Sequence, residues 1–430
     1  MPLIADRRFI HRLGLVAGST GVVQVLKLVA QLALVRLLGV EGFGIYATAL
    51  AVCAVIETAS TARSMEVAMN RLPARIATID PEDWSYAALV RGMRRTEALW
   101  IGGAFGVVLA VAAVYAAIAD MRTAVAIVLA GLSVPALFGY GIANGVCLLA
   151  ADFRALARAE ISGAVVGTAT MIAGAVIAGV EGALIGYAAP LVLRNLLLTR
   201  YAAQGVAART PADFVTAASD TPTGLAASGQ AHTHAFIGAG LNALYQNVDV
   251  IVLSLIGSPA VVAVYRVAKL LARLGGDLFE PVWKAARPDW LQRFYAGDIR
   301  GLMRLMRRLM LPMLAASALS VVLTLQLAPW FLDLAFGADF RAAAAPLTVL
   351  ILGQAAAQVL AGWASFWVVA EARFRRRNLL LLALCATAGT IPFVLDIADP
   401  LVIAGIYAAT QAMFAAAWWI MLLRAVAHGR

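Results

Sequence analysis

Runs of roughly 20 apolar residues recur from one end of this sequence to the other, each long enough to carry an α-helix across about 30 Å of hydrocarbon. About 12 such runs can be read, near 13–38, 43–63, 96–119, 123–150, 158–179, 182–203, 235–256, 259–286, 309–331, 343–370, 378–396 and 400–423. A chain of 430 residues could otherwise hold two or three soluble domains. Composition excludes that: 62% of the residues are hydrophobic and 13% charged, against about 25% charged in an ordinary soluble domain. The expectation is an all-α, multi-pass integral membrane protein.

The connections between runs alternate in character. Residues 39–42, 120–122, 180–182, 257–259 and 396–400 are short and nearly free of Lys and Arg. The others are basic: Arg7, Arg8 and Arg12; Arg71, Arg75, Arg91, Arg94 and Arg95; Arg154 and Arg158; Arg287 to Arg308; and Arg373 with Arg375, Arg376 and Arg377. Basic loops stay cytoplasmic, which puts both termini there, as an even number of spans requires. The net charge of +10 is read as this orientation signal and as contact with lipid headgroups, since it lacks the aromatic interleaving of a nucleic-acid surface. The basic start leads straight into the first run without a small-residue cleavage site, so a retained first helix is expected. Cys53, Cys147 and Cys385 lie in apolar runs without metal-ligand spacing and read as buried free thiols.

Residues 206–234 are small and polar, and read as a cytoplasmic linker between two six-helix bundles, 1–205 and 235–430. His232 and His234 fall in that stretch and read as solvated. The halves carry traces of a repeat: Gly39, Tyr46 and Ala49 fall in register with Gly257, Tyr265 and Ala268. Paired halves around a midplane site are common in transporters.

One charged stripe interrupts the apolar pattern. Arg266, Lys269, Arg273, Asp277, Glu280 and Lys284 fall within an arc of roughly 80° on a helix. Facing lipid, the stripe would cost on the order of 10 kcal/mol, so it is expected to face partners or a hydrated cavity. Asp277 can pair with Arg273 and Glu280 with Lys284, one turn away. Arg266 and Lys269 then have no local counter-ion, and surplus positive charge in a cavity is a place for an anion. In the first run Thr20, Gln24, Lys27 and Gln31 share a face, as do Glu57, Ser60, Thr61 and Ser64 in the second and Asn242, Gln246 and Asp249 in the seventh. Gln and Asn suit sugar hydroxyls, Arg and Lys suit phosphate; interhelical hydrogen bonding is the plainer role for the uncharged ones. Asp249 either binds a coupling Na⁺ or H⁺ or partners a cation, with the second favoured.

The stretches "ALVRLLGVEGFGIYATA", "NVDVIVLSLIGSPAVVAVYRVAKLL" with "RPDWLQRFYAGD", and "LAPWFLDLAFGADFRAAAAPLTVLILGQ" together resemble the polysaccharide or lipid-linked oligosaccharide flippases. These belong to the superfamily that also holds the multidrug and toxin extrusion transporters and the lipid II flippase. The resemblance implies two six-helix bundles around a central cavity that opens alternately to either side. It implies an undecaprenyl-diphosphate-linked oligosaccharide as substrate, moved across a bacterial inner membrane for O-antigen, capsule or exopolysaccharide. It places Lys27, Arg266, Lys269 and Arg273 toward diphosphate and acidic sugars; Gln24 and Gln31, on the face of Lys27, are substrate-binding candidates by their own position. Asp249, Glu57, Asp277 and Glu280 remain coupling or structural candidates. No cofactor or resident metal is expected, a coupling Na⁺ or H⁺ aside; the expected partners are membrane lipids and the polymerase or export machinery.

Two other readings stand beside this one. A multidrug antiporter of the same superfamily would want surplus carboxylate in its cavity. A membrane polymerase or ligase would want a large outer loop with paired carboxylates or a nucleophile, and neither is apparent; a non-enzyme is expected.

Overall fold

In a computed structural model the chain is described over residues 7–76, 78–150, 152–210, 229–277, 290, 293, 298–357 and 374–427. It is helical in the places the apolar runs dictate. Among the described residues seven helices are long and apolar enough to cross a membrane, and eight if one bent pair counts as a span. Two of the seven each join two helices at a kink. The breaks fall at the short non-basic connections. α1, Arg7–Ile76, kinks at Gly39; α7, Phe153–Ala207, breaks at Ala178 and Gly179. The chain forms two compact units, one of Val22–Asn247 and one of Val248–Arg430 with Met1–Gly21.

The first unit holds most of α1, then α2 (Tyr86–Val90), α3 (Met93–Ile118), α4 (Met121–Gly131), α5 (Ser133–Ala136), α6 (Tyr140–Leu149), α7 and α8 (Gly229–Tyr245). Asp120 separates α3 from α4 and caps α4, its carboxylate accepting from the Thr123 N–H at 2.7 Å. Gly139, in the left-handed region at φ 86°, separates α5 from α6. That break frees carbonyls, and Asn195 of α7 answers them by donating to the Phe138 and Ala136 oxygens. Next to the basic loops lies a core of Leu72, Leu89, Val90, Leu137, Val146, Leu198 and their neighbours. Trp84 latches this end: its indole N–H reaches the Val206 and Arg209 carbonyls at 2.9 and 2.8 Å.

The two arms of α7 meet where Gly174 and Gly182 put backbone against backbone, leaving no room for a Cβ on either. The close approach also lets Thr170 donate to the Gly186 carbonyl at 2.7 Å. Without a hydrophobic drive between helices in lipid, such contact is what holds them together. Gly182→Leu is therefore expected to lower stability by about 1–3 kcal/mol or more through overpacking. Gly103→Leu, where a side chain meets open space, should leave the thermal midpoint of the purified protein unchanged.

The second unit comprises α9 (Val248–Ile256), α10 (Pro259–Asp277), α11 (Ile299–Phe336), a 3₁₀ turn at Ala338–Ala343, α12 (Ala344–Ala356), α13 (Phe374–Val394) and α14 (Pro400–Ala427). α12 packs against α14, α10 and α11, and α9 against α13. Gly353 admits the backbone of Ala408, and beside it Gln411 donates to Gln354 at 3.2 Å. Of the linker expected over 206–234, residues 206–207 end α7 and 229–234 open α8; residues 211–228 lie outside the described ones. His232 and His234 thus stand on a helix rather than in a loop. All three cysteines are buried and free.

Candidate functional site

Each unit encloses a carboxylate inside its helices. In the second it is Asp249, in the first turn of α9, where helix N-termini favour negative charge. It is 1% exposed. The Val250 N–H donates to one of its oxygens at 2.8 Å, and the Tyr265 hydroxyl donates to the other. Lys269 Nζ reaches both oxygens at 2.6 Å and sits 4.2 Å from the centre of the Tyr407 ring. Tyr265 and Lys269 stand one turn apart on α10, which aims both at the same point. The cluster is buried, and it sets aspartate against ammonium.

Lys269, expected from the sequence to lack a counter-ion, therefore has one, donated from the preceding helix. The local one-turn rule could not find it, because Asp249 and Lys269 are 20 residues apart and meet only when α9 folds back on α10. Of the other stripe residues, Arg266 is half-buried and Arg273 exposed. Asp277 ends α10, while Glu280 and Lys284 lie outside the described residues. The face proposed to join Asn242 and Gln246 with Asp249 stops at a 44° bend between the helix ending at Tyr245 and the one starting at Val248. Helical periodicity does not pass through that break.

In the first unit the carboxylate is Glu57. Ser133 donates to its Oε1 and the Tyr187 hydroxyl to its Oε2 at 2.9 Å. Its hydrogen bonds thus come from hydroxyls of α5 and α7. The guanidinium nearest in kind, Arg194, is taken by Glu160 at 3.2 Å and lies 4.2 Å over the Tyr140 ring. On α1, Gln24 and Gln31 are half-buried and Lys27 is exposed; the adjacent Leu26 carbonyl accepts from Thr168 of α7 at 3.2 Å. Ser60 and Ser64 are buried and Thr61 is half-buried. Lys27, Gln24 and Gln31 belong to the first unit; Arg266, Lys269 and Arg273 belong to the second.

No family model matches the chain. No curated protein sequence matches it either. Solved structures do. An inward-facing multidrug resistance MATE family transporter of the MOP superfamily is similar with a TM-score of 0.67 and 13% identity, over 94% of this chain and 95% of that one. The lipid II flippase MurJ, in an inward closed conformation, is similar with a TM-score of 0.67 and 11% identity, over 94% of this chain and 86% of that one. The fold is that of the MOP superfamily transporters. A third such structure, from Pyrococcus furiosus, is similar with a TM-score of 0.59 and 12% identity over 96% of both chains. In that transporter a reversed polarity of the binding pocket suggests a different function.

Sequence reasoning missed the hydroxyl partners Ser133 and Tyr187, since neutral residues in an apolar run give no signal. It could have found Tyr265, which stands four residues before Lys269 on the same helix face. It also passed over Glu97, a lone acid near the start of the third run.

Proposed function

We propose that this chain is a flippase for an undecaprenyl-diphosphate-linked oligosaccharide, working by alternating access in a bacterial inner membrane with both termini cytoplasmic, and is not an enzyme. The reading takes about 12 spans in two six-helix bundles, with the exported unit destined for a surface polysaccharide. The observation that carries it is the cationic face of α10: Arg266, Lys269 and Arg273 stand on it about one turn apart, with Asp249 bound to Lys269. Two of the three are guanidiniums, the group best shaped for bidentate contact with phosphate. Lys27 adds an exposed ammonium in the other unit.

The test is complementation of a flippase-deficient strain. Arg266→Gln with Arg273→Gln should reduce export of the polysaccharide at least tenfold, since each lost charge-assisted bond is worth about 1.5–3 kcal/mol. Insertion and thermal midpoint should persist. Normal export by that double variant counts against the reading. Lys269 is left intact in the test because its loss would disturb folding first.

One observation favours a second reading. Glu57 is an inward acid held by hydroxyls rather than by a cation, as a carrier of organic cations would need. Expression that confers resistance to cationic drugs, with Glu57→Gln abolishing it, would select the antiporter.

A further inference from the structure

A cavity of about 550 Å³ lies within the first unit, apart from both carboxylate clusters described above. It is lined by Arg63 and Ser64 of α1 and by Gly92, Arg95, Glu97 and Trp100 at the head of α3. Glu97 is 5% exposed, and its carboxylate oxygens meet no donor in good hydrogen-bond geometry among the described residues, although Ser64, the Gly139 backbone and the Arg94 guanidinium act on it from nearby. A buried carboxylate left in that condition is costly, and what it lacks is a well-placed hydrogen-bond donor, which an ammonium supplies in strongest form.

The mouth of the same cavity has the opposite character. Gly92 is the N-cap of α3 at φ 81° and offers no side chain to cap it. The first N–H groups of a 26-residue helix therefore point outward with the positive end of its dipole. Arg95 and Arg63 flank them. Arg63 also stands 5.8 Å over the ring of Phe236, which packs edge-on against Trp100 at 5.5 Å. From Met93 to Glu97 is about 6 Å along the helix. An anion subsite and a cation subsite thus lie one turn apart. Beside them Leu99 is 73% exposed and Trp100 38% exposed, on a helix long and apolar enough to meet lipid.

We propose that this cavity binds a membrane phospholipid with a primary-amine headgroup, its phosphate at the α3 N-terminus between Arg63 and Arg95 and its ammonium on Glu97. The acyl chains then run along Leu99 and Trp100, at the depth where Trp anchors helices to the interface. Loop charge puts this end of α3 on the cytoplasmic side. The site depends on neither reading of the transported substrate.

Brominated lipids test it, because bromine quenches only tryptophans it touches. The chain has nine tryptophans, so the quenching that vanishes in Trp100→Phe isolates the site. Brominated phosphatidylethanolamine should quench that component at about tenfold lower mole fraction than phosphatidylglycerol, the factor expected for one charge-assisted bond. Phosphatidylcholine, which keeps the charge but has no N–H, should fall with phosphatidylglycerol, and Glu97→Gln should erase the preference. Equal quenching by the three lipids in the unaltered protein overturns the proposal, and that comparison stands even if the variant does not fold. Retained preference in a folded Glu97→Gln protein overturns it as well. So does displacement by water-soluble phosphoethanolamine at the same concentration, which would make the ligand a solute.

Discussion

Asp249→Ala is expected to unfold this protein more readily than any other single change on its polar residues. It takes from Lys269, buried beside Tyr407, the carboxylate that its ammonium reaches at 2.6 Å. Breaking one side of a buried pair costs about 3–5 kcal/mol, because the remaining charge is uncompensated. Lys269→Met should be similarly damaging from the other side, taking the cation from Asp249 and keeping the Tyr265 hydroxyl and the Val250 N–H. The double variant Asp249→Ala, Lys269→Met should recover most of the loss, since an apolar replacement of a whole buried pair is often neutral. Tyr265→Phe alone removes one donor and should cost about 1 kcal/mol. Thermal midpoints in detergent, monitored by fluorescence-detected size exclusion, complete the cycle. A double variant no better than either single would show that the pair is not the element holding α9 to α10.

This pair also explains how far the sequence could be read. The positions of the helices were legible, because a run of apolar residues long enough to span hydrocarbon has few alternatives in water or lipid. Their breaks were legible as well: Gly39, Asp120 and the stretch before Pro259 interrupt the helix where short polar connections stand. Charge partners one turn apart can be inferred on one helix. Partners contributed by another helix cannot, and Asp249–Lys269 is of that kind. Helical phase is a further limit, since it was carried past the bend after Tyr245, where no continuous helix exists. Hydroxyl donors such as Ser133 are invisible for a third reason. A serine among apolar residues is as often turned to its own helix backbone as to a distant acid.

Glu57 sets the other large effect. Two hydroxyls from separate helices converge on it, so Glu57→Leu removes the acceptor of both Ser133 and Tyr187 and fills their space with an apolar group. With the site half-buried, a loss of about 2–3 kcal/mol is expected, less than the full sum for two orphaned donors. Glu57→Gln keeps an oxygen acceptor for one hydroxyl but offers an NH₂ to the other, and should cost about 1 kcal/mol. Tyr187→Phe in the glutamine background should then cost little more, because the bond it removes is already compromised. In the native background it should cost more. Strict additivity would mean that Glu57 and Tyr187 do not act as one unit. The near-isosteric glutamine also separates stability from transport: a protein that stays folded but loses export of cations has lost a charge, while unchanged export of an anionic lipid-linked sugar leaves Glu57 as a bracket between α1, α5 and α7.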